Sequence, residues 1–490
     1  MTQRVLILDR SIALLLGIVT AVSRLPFIAD RLWEWDSVLY ARALEHGFHV
    51  DDVLAGSRPH PPGYIFYVAS AAIGRALGLD SDHALVAVSI IASGAAVALC
   101  YLLCRRFAGR GLAVALAVAF ATSPLVWLHG EVAMPYILLA PVMTGLALGF
   151  RDARGGGIRR LAVASFAYGA LGGFRQDVLL FLFPLWLWLI LPTASRTRLA
   201  AAGALVLGGL TWFIPSALLS DGPAAYVSRS LGQLVGLGAV SANEERSIAV
   251  NAVLVGESLL WAGLALTALV VVLGLARSLA TARGQRLGDE REAQFFGLWL
   301  VPALSFYLFA HIGEWGFVLS LVPGLYGLLA WLLRPIVAAA PVTRRAAVAT
   351  VLTSAALGAA FFIAGDDPVF SHASLVAHDR ATDAKTAYIR DHLPGPSTVI
   401  LASAEALVAS YYLPDRQVRY SNAAARTSFS LRLDAPTTIV IYEPAAGALG
   451  GAASRSVTVT AGITLDLVDA VSGAIKLGGP DLGDLGRERR

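Results

Sequence analysis

Long apolar blocks alternate with short polar ones through the first three quarters of the chain, and a different rhythm takes over after Asp366. A bilayer core takes about 20 apolar residues per helix and offers the backbone no water, so each long uncharged block predicts a spanning helix. The blocks at 11–29, 84–104, 111–128, 132–150, 161–174, 178–192, 199–219, 251–276, 295–310, 316–333 and 346–364 predict about eleven spans. One further block, 61–79, opens on Pro61-Pro62 and carries Arg75 near its end. It reads as a helix lying along or dipping into the outer interface, because a span here would invert every later loop.

Beyond Asp366 charges are spread throughout, and STVILAS and TTIVIYE have the uniformly apolar character of buried parallel strands. The segment RATDAKTAYIRDHLPG predicts a helix capped by Thr382 or Asp383 and stopped by Pro394. The expected fold class is an all-α polytopic membrane module over 1–364, with its first extracytoplasmic loop at 30–83, followed by a small extracytoplasmic α/β domain over 365–480. The tail 481–490 lacks apolar periodicity and is expected to be disordered.

Orientation follows from the arginines, since short Lys/Arg-rich loops stay cytoplasmic. Arg4 and Arg10, RRFAGR at 105–110, RDARGGGIRR at 151–160, SRTR at 195–198, the segment 277–292, and Arg334 with Arg344 and Arg345 fall on one side. That places the N-terminus inside and the C-terminus outside a plasma (inner) membrane. Arg4 and Arg10 before SIALLLGIVTAV resemble a signal sequence, but no small-residue cleavage site follows, so a retained first span is expected.

Composition agrees: of 490 residues, 57% are hydrophobic and 15% charged, well outside the range of soluble domains. The net charge of +4 is what the positive-inside bias produces by itself, so nucleic acid is not an expected partner. Cys100 and Cys104, four apart on one helix face, are read as packing or lipid-facing residues.

Charge in hydrocarbon is costly, so the two ionisable exceptions inside predicted spans carry information. Arg24 reads as snorkelling to the headgroups, whereas Glu257 is expected to face a polar cavity. The outer loops collect Glu34, Asp36, Asp51, Asp52, His60, His129, Glu131, Arg175, Asp177, His311 and Glu314. A solvated loop charge is the ordinary reading for any one of them; as a set they suggest a site. Such a cluster suits chemistry on a lipid-linked phosphate, with cations for the phosphate and a carboxylate to take an acceptor's proton. Arg175, His60 and His311 are the cationic candidates. Asp36 has two open readings, the N-cap of SVLYARALEHG or the reacting carboxylate. His129 and His311 are each alone on a loop, where packing is the commoner role. Tyr40 and Tyr64, with Trp33, Trp35, Tyr67 and Trp315, could cradle a sugar or isoprenoid or simply mark the interface. No metal-ligand spacing is present, so no cofactor is predicted, although a divalent ion is not excluded.

WEWDSVLYARALEHG directly after the first span, followed by RPHPPGYIFY, resembles the GT-C class of polyprenyl-phosphate-sugar-dependent glycosyltransferases, in its protein-mannosyltransferase-like and aminoarabinose-transferase branch. SPLVWLHGEVAMPY, GGFRQDVLLFLFPLW, HIGEWGFVLSLVPGLY and TAYIRDHLPGPSTVILAS are further points of likeness. The resemblance implies Asp36 as catalytic base and His60 facing the lipid phosphate. It makes Glu131 a second acid, and His311 with Glu314 part of a late loop closing the donor site. Members often have an Asp-Glu pair where this chain has Asp36-Ser37, and Glu34 is the candidate to compensate. Arg175 is expected to hold the phosphate with His60 and His311, and Asp177 to orient sugar, acceptor or the arginine. Tyr40, Tyr64, His129 and Glu257 are possible substrate-lining residues. The implied activity is inverting sugar transfer from a polyprenyl-phosphate donor to an envelope glycan, lipid or protein, at the extracytoplasmic face and among membrane lipids. A transporter or lipid flippase of envelope precursors is the alternative, against which the absence of an internal repeat counts.

Overall fold

The computed structural model describes residues 3–51, 58–242, 248–282, 290–447 and 454–485; Asp52, part of the 277–292 segment and the last five residues lie outside them. In chain order the helices are α1 (Gln3–Arg24), α2 (Trp35–His46), α3 (Ile65–Ala76), α4 (Ser81–Arg105), α5 (Arg110–Ala121), α6 (Pro124–His129) and α7 (Leu139–Ala153). There follow α8 (Ile158–Leu171), α9 (Asp177–Phe181), α10 (Phe183–Ile190), α11 (Ser195–Leu218), α12 (Pro223–Ala242), α13 (Ile248–Gly263), α14 (Ala265–Ala282) and α15 (Glu290–Phe309). The last four are α16 (Val322–Ala339), α17 (Pro341–Ala364), α18 (His372–His392) and α19 (Ala406–Tyr412).

Among the described residues seven helices are long and apolar enough to cross a membrane, or eight if α13 and α14 form one span. The expected count of eleven is higher because several apolar blocks are broken. The block 111–128 divides into α5 and α6 at Ser123-Pro124, where proline removes a donor and restricts its predecessor. The block 178–192 divides into two short helices around Pro184. The block 251–276 is bent by 106° at Leu264, whose φ is +48°. α3, at 12 residues, reaches about 18 Å and is too short for a hydrocarbon core of about 30 Å.

Small residues set the closest helix crossings. A Cβ on Gly17 of α1 would lie 2.9 Å from the Gly94 carbonyl oxygen of α4. A Cβ on Gly169 of α8 would run into the Leu205 carbonyl of α11, and one on Gly208 into Phe166. Backbone approach of this kind is what holds helices together where lipid supplies no hydrophobic drive. Cys100 and Cys104 are buried, unpaired packing residues.

After α17 the chain builds a five-stranded sheet from β1 (Thr398–Ala402), β2 (Gln417–Tyr420), β3 (Ser428–Ile441), β4 (Arg455–Thr460) and β5 (Ile463–Gly478), ordered β2-β1-β3-β5-β4. The two uniformly apolar runs do pair in parallel, Val399 with Ile439 and Ile400 with Val440. β1 is buried at every position, as a central strand covered on both faces must be. α18 starts ten residues before the predicted cap: Ser371 accepts from Ser374 N (3.2 Å), and Thr382 and Asp383 lie mid-helix. The segment 481–485, expected to be disordered, is docked. Leu485 is buried and donates its N–H to the Val418 carbonyl (3.0 Å), and Asp484 accepts from Val418 N (3.1 Å).

The sheet unit is fastened to the loop between α1 and α2, and to α2 itself. Arg31 pairs with Asp383 at 2.6 Å, Arg42 donates to Ser410 (2.9 Å) and to the Leu485 carbonyl (3.1 Å), and Tyr411 donates to Glu45 (2.6 Å). α2 therefore sits between the two parts with its first turn exposed to the space they enclose.

Candidate active site

The N-terminus of α2 organises the site. Glu34, not Asp36, is the N-cap residue, and its backbone N–H donates to Ser37 Oγ (3.4 Å). Asp36 is thus freed from capping and stands in the first turn, where the helix dipole favours a carboxylate. The chain returns to it through His60-Pro61-Pro62-Gly63. Gly63 has a φ of +93°, and a Cβ there would meet Val50 and Phe48, so only glycine allows this turn. His60 consequently lies over Asp36, Nε2 to Oδ1 3.4 Å, while Nδ1 is 2.8 Å from the Pro61 carbonyl oxygen.

Two acceptors facing the two ring nitrogens favour the imidazolium. Burial alone would lower the His60 pKa, but Asp36 overrides it and the net shift is upward. Burial raises Asp36 in turn, and His60 and Arg175 outweigh that and hold it below the usual carboxylate value. Each partner thus favours the charged form of the other.

Arg175 comes from the turn between α8 and α9. It is buried, with Nη2 at 2.8 Å and Nε at 3.1 Å from Asp177 Oδ2. Its guanidinium stands 4.7 to 5.5 Å from the ring centroids of Phe317, Tyr136 and Tyr64, a cation held in an aromatic box. Asp36, His60, Tyr64, Arg175, Asp177, His311 and Glu314 line one cavity of about 360 Å³. Gln176, Tyr136 and Tyr307 line it too and were missed by the sequence reading. Both amide atoms of Gln176 are buried without a hydrogen-bond partner, which equips it to meet hydroxyl groups in the cavity.

Glu314 also borders a second cavity of about 670 Å³ between the helices and the sheet. Trp33, Glu34, Trp35, Trp315, His378, Glu405 and Tyr420 are among its walls, and none of its lining residues is Arg or Lys. Successive residues of one turn thus face different spaces, Glu34 and Trp35 the second and Asp36 the first. Burial, together with Glu314 and Asp36, pushes the Glu34 carboxyl well above its usual value.

Four expected lining residues stand elsewhere. Glu131 is buried beside Arg24 and Trp127 instead of in the cavity; both its carboxylate oxygens lack a hydrogen-bond partner, and burial raises it to about 9 against the pull of Arg24. Arg24 does not snorkel: it is buried, donates to the Ala121 carbonyl (2.5 Å) and lies 4.4 Å from the Trp127 ring. His129 is packed behind Tyr136 with Nδ1 on the Leu125 carbonyl (2.9 Å). Tyr40 is buried behind Tyr64, their rings 5.6 Å apart edge to face. Glu257 is exposed on α13, reached by Trp315 Nε1 at 3.4 Å, and not inside a polar cavity. No group of three or more His, Cys, Asp or Glu able to hold a metal ion occurs among the described residues.

No protein-family description matches the chain, and no curated protein matches it. Among solved structures it is similar to ArnT from Cupriavidus metallidurans bound to undecaprenyl phosphate, with a TM-score of 0.55 at 14% identity over 98% of this chain and 100% of that one. An oligosaccharyltransferase from Archaeoglobus fulgidus aligns with a TM-score of 0.46 at 14% identity, covering 84% of this chain and 62% of that one. The first likeness spans both parts of the molecule, and the chain has the GT-C fold.

Proposed function

We propose that the chain is an integral membrane glycosyltransferase that moves a sugar from a polyprenyl-phosphate donor to an acceptor on the extracytoplasmic side, with inversion at the anomeric carbon. The observation that carries this reading is the Asp36–His60 pair beside Arg175 in one cavity, at the N-terminus of a helix whose preceding residues face a second cavity. The undecaprenyl phosphate bound by the similar structure supports a lipid-phosphate donor.

In this reading the donor phosphate enters the 360 Å³ cavity and engages His60 and Arg175, with His311 on the same wall. Binding exchanges the two internal pairs, His60–Asp36 and Arg175–Asp177, for contacts to the phosphate. Asp36 is then released toward the acceptor hydroxyl and takes its proton as the oxygen attacks the anomeric carbon from the face opposite the phosphate. The lipid phosphate departs as an anion held by the two cations and needs no protonation. Gln176 and Asp177 meet the donor sugar's hydroxyls. The acceptor comes from the aromatic cavity shared through Glu314. The outer face, the N-terminus inside and the sheet outside the membrane follow from the arginine distribution.

The test is incubation of purified protein with a panel of polyprenyl-phosphate sugars and envelope acceptors, read by product mass. Asp36→Asn is expected to lose about 10²- to 10⁴-fold in transfer, the range for removing a positioned base, while its elution profile and melting temperature stay unchanged. Near-normal turnover by this variant would remove Asp36 from the mechanism.

A further inference from the structure

At the end of α7 remote from Tyr136 and the Asp36 cavity, a cleft of about 640 Å³ opens between α7 and α8. Gly145, Gly149 and Phe150 of α7 face Val163, Ala167 and Leu171 of α8 across it, and Arg159 and Arg160 stand at its mouth. The helix packing explains the opening. α8 is drawn onto α11 by the Gly169 and Gly208 backbone contacts, and a Cβ on Gly149 would meet nothing within 4 Å.

The charge at the mouth is not balanced from within. Of the four arginines of this loop, Arg151 pairs with Glu292 (2.7 Å), and Arg154 packs on the Trp188 ring and bonds the Trp188 carbonyl. The lining acid Asp152 is taken up by Arg106 at 2.5 Å. Arg159 and Arg160 have no ion-pair partner among the described residues, and both are exposed. They also occupy the first turn of α8, which contains no acidic residue and where the helix dipole disfavours cations. Two uncompensated cations therefore close one end of an apolar slot that runs along α8 from Arg160 to Leu171, about 17 Å at 1.5 Å per residue. That is the length scale of a fatty acyl chain.

We propose that this cleft is a binding site for one anionic phospholipid, its phosphate on Arg159 and Arg160 and an acyl chain between α7 and α8. The arginine distribution puts this end of α7 on the cytoplasmic side, where basic pockets between membrane helices suit such headgroups. The slot supplies what a loose surface charge does not, a fixed place for the chain. The site is separate from the donor cavity and does not depend on the transferase reading.

The experiment is native mass spectrometry and thermal unfolding of the full-length, delipidated protein in detergent, titrated with phosphatidylglycerol, phosphatidylcholine, inorganic phosphate and undecaprenyl phosphate. Phosphatidylglycerol is expected to be retained as a single adduct and to raise the melting temperature, and phosphatidylcholine is not. The double variant Arg159→Gln/Arg160→Gln should bind phosphatidylglycerol about thirtyfold more weakly, each cation contributing about fivefold. Gly149→Leu, which fills the slot without touching either arginine, should lose the adduct as well. Both variants should melt as the parent does before lipid is added. Equal retention of the two phospholipids, wild-type affinity in either variant, or an equal effect of inorganic phosphate alone would overturn the proposal. Tighter binding of undecaprenyl phosphate, lost in the same variants, would overturn the phospholipid assignment.

Discussion

The Asp36–His60 pair carries its own pH signature. His60 is held above its ordinary value of 6.5 and Asp36 below its ordinary 3.8, so the two are oppositely charged between these shifted values. The imidazolium state is complete in mildly acidic solution and is lost as pH rises through the elevated His60 pKa; the carboxylate is lost only at pH below its depressed value. Transfer should therefore hold its level in mildly acidic solution and fall as pH rises through the His60 pKa, which lies above 6.5. His60→Gln should lower the plateau and abolish that alkaline fall in a pH–rate profile; a fall that persists unchanged would assign it to another group. Glu131 gives a second residue-level test. A carboxyl raised to about 9 by burial is neutral at pH 7, so the isosteric, uncharged Glu131→Gln should keep transfer within about threefold, whereas Glu131→Ala should lose about 2 kcal/mol to the cavity it leaves. Loss of transfer in the stable glutamine variant would restore Glu131 to the chemistry. Asp36, His60 and Arg175 were legible because charges and a Pro-Pro pair beside apolar blocks are conspicuous. Gln176, Tyr136 and Tyr307 were not, since Gln and Tyr at a membrane edge look the same whether or not they face a cavity. Glu131 was misplaced because nothing local to it announces Arg24 as its neighbour.

Among the elements, α2 links the two parts of the chain through one buried arginine and the docked tail. Arg42 reaches both Ser410 and the Leu485 carbonyl, and Leu485 in turn continues the hydrogen bonding of β2 through Val418. Leu485→Ala should cost about 2 kcal/mol, at the low end for a buried leucine near a chain end. The loss should appear as earlier proteolysis of the sheet, with the helices unaffected; protection unchanged from the parent would mean the tail merely rests on the sheet. Composition hid this docking, because glycine, aspartate and arginine dominate the tail and only two leucines, Leu482 and Leu485, pack it down. The parallel strands β1 and β3 were readable from unbroken apolar runs. The break at Leu264 was not: Gly263 beside it is one of 47 glycines, most of which bend nothing.

For the molecule as a whole, the proposed function assigns one substrate to each of the two cavities around one helix N-terminus. Asp36 faces the space with His60 and Arg175, Glu34 and Trp35 face the space under the sheet, and Glu314 borders both. In the proposed reaction a donor bound by cations and an acceptor held by aromatic walls would come from different sides of this helix N-terminus, as inversion requires. The cavity under the sheet has Trp33, Trp35, Trp315 and Tyr420 for stacking, acids for hydroxyl groups, and no Arg or Lys to neutralise a phosphate. If this division of labour holds, the two Michaelis constants must respond separately to substitution on the two sides. Trp35→Ala should raise KM for the acceptor about tenfold, the loss of an aromatic stacking partner worth about 1.4 kcal/mol, and leave KM for the lipid-phosphate donor within twofold. Arg175→Gln should do the reverse, weakening the donor and sparing the acceptor. Steady-state kinetics with each substrate varied at saturating levels of the other would measure both constants. A parallel rise of the two in either variant would mean that the cavities act as one site, and that Glu314 is a shared wall and not a boundary.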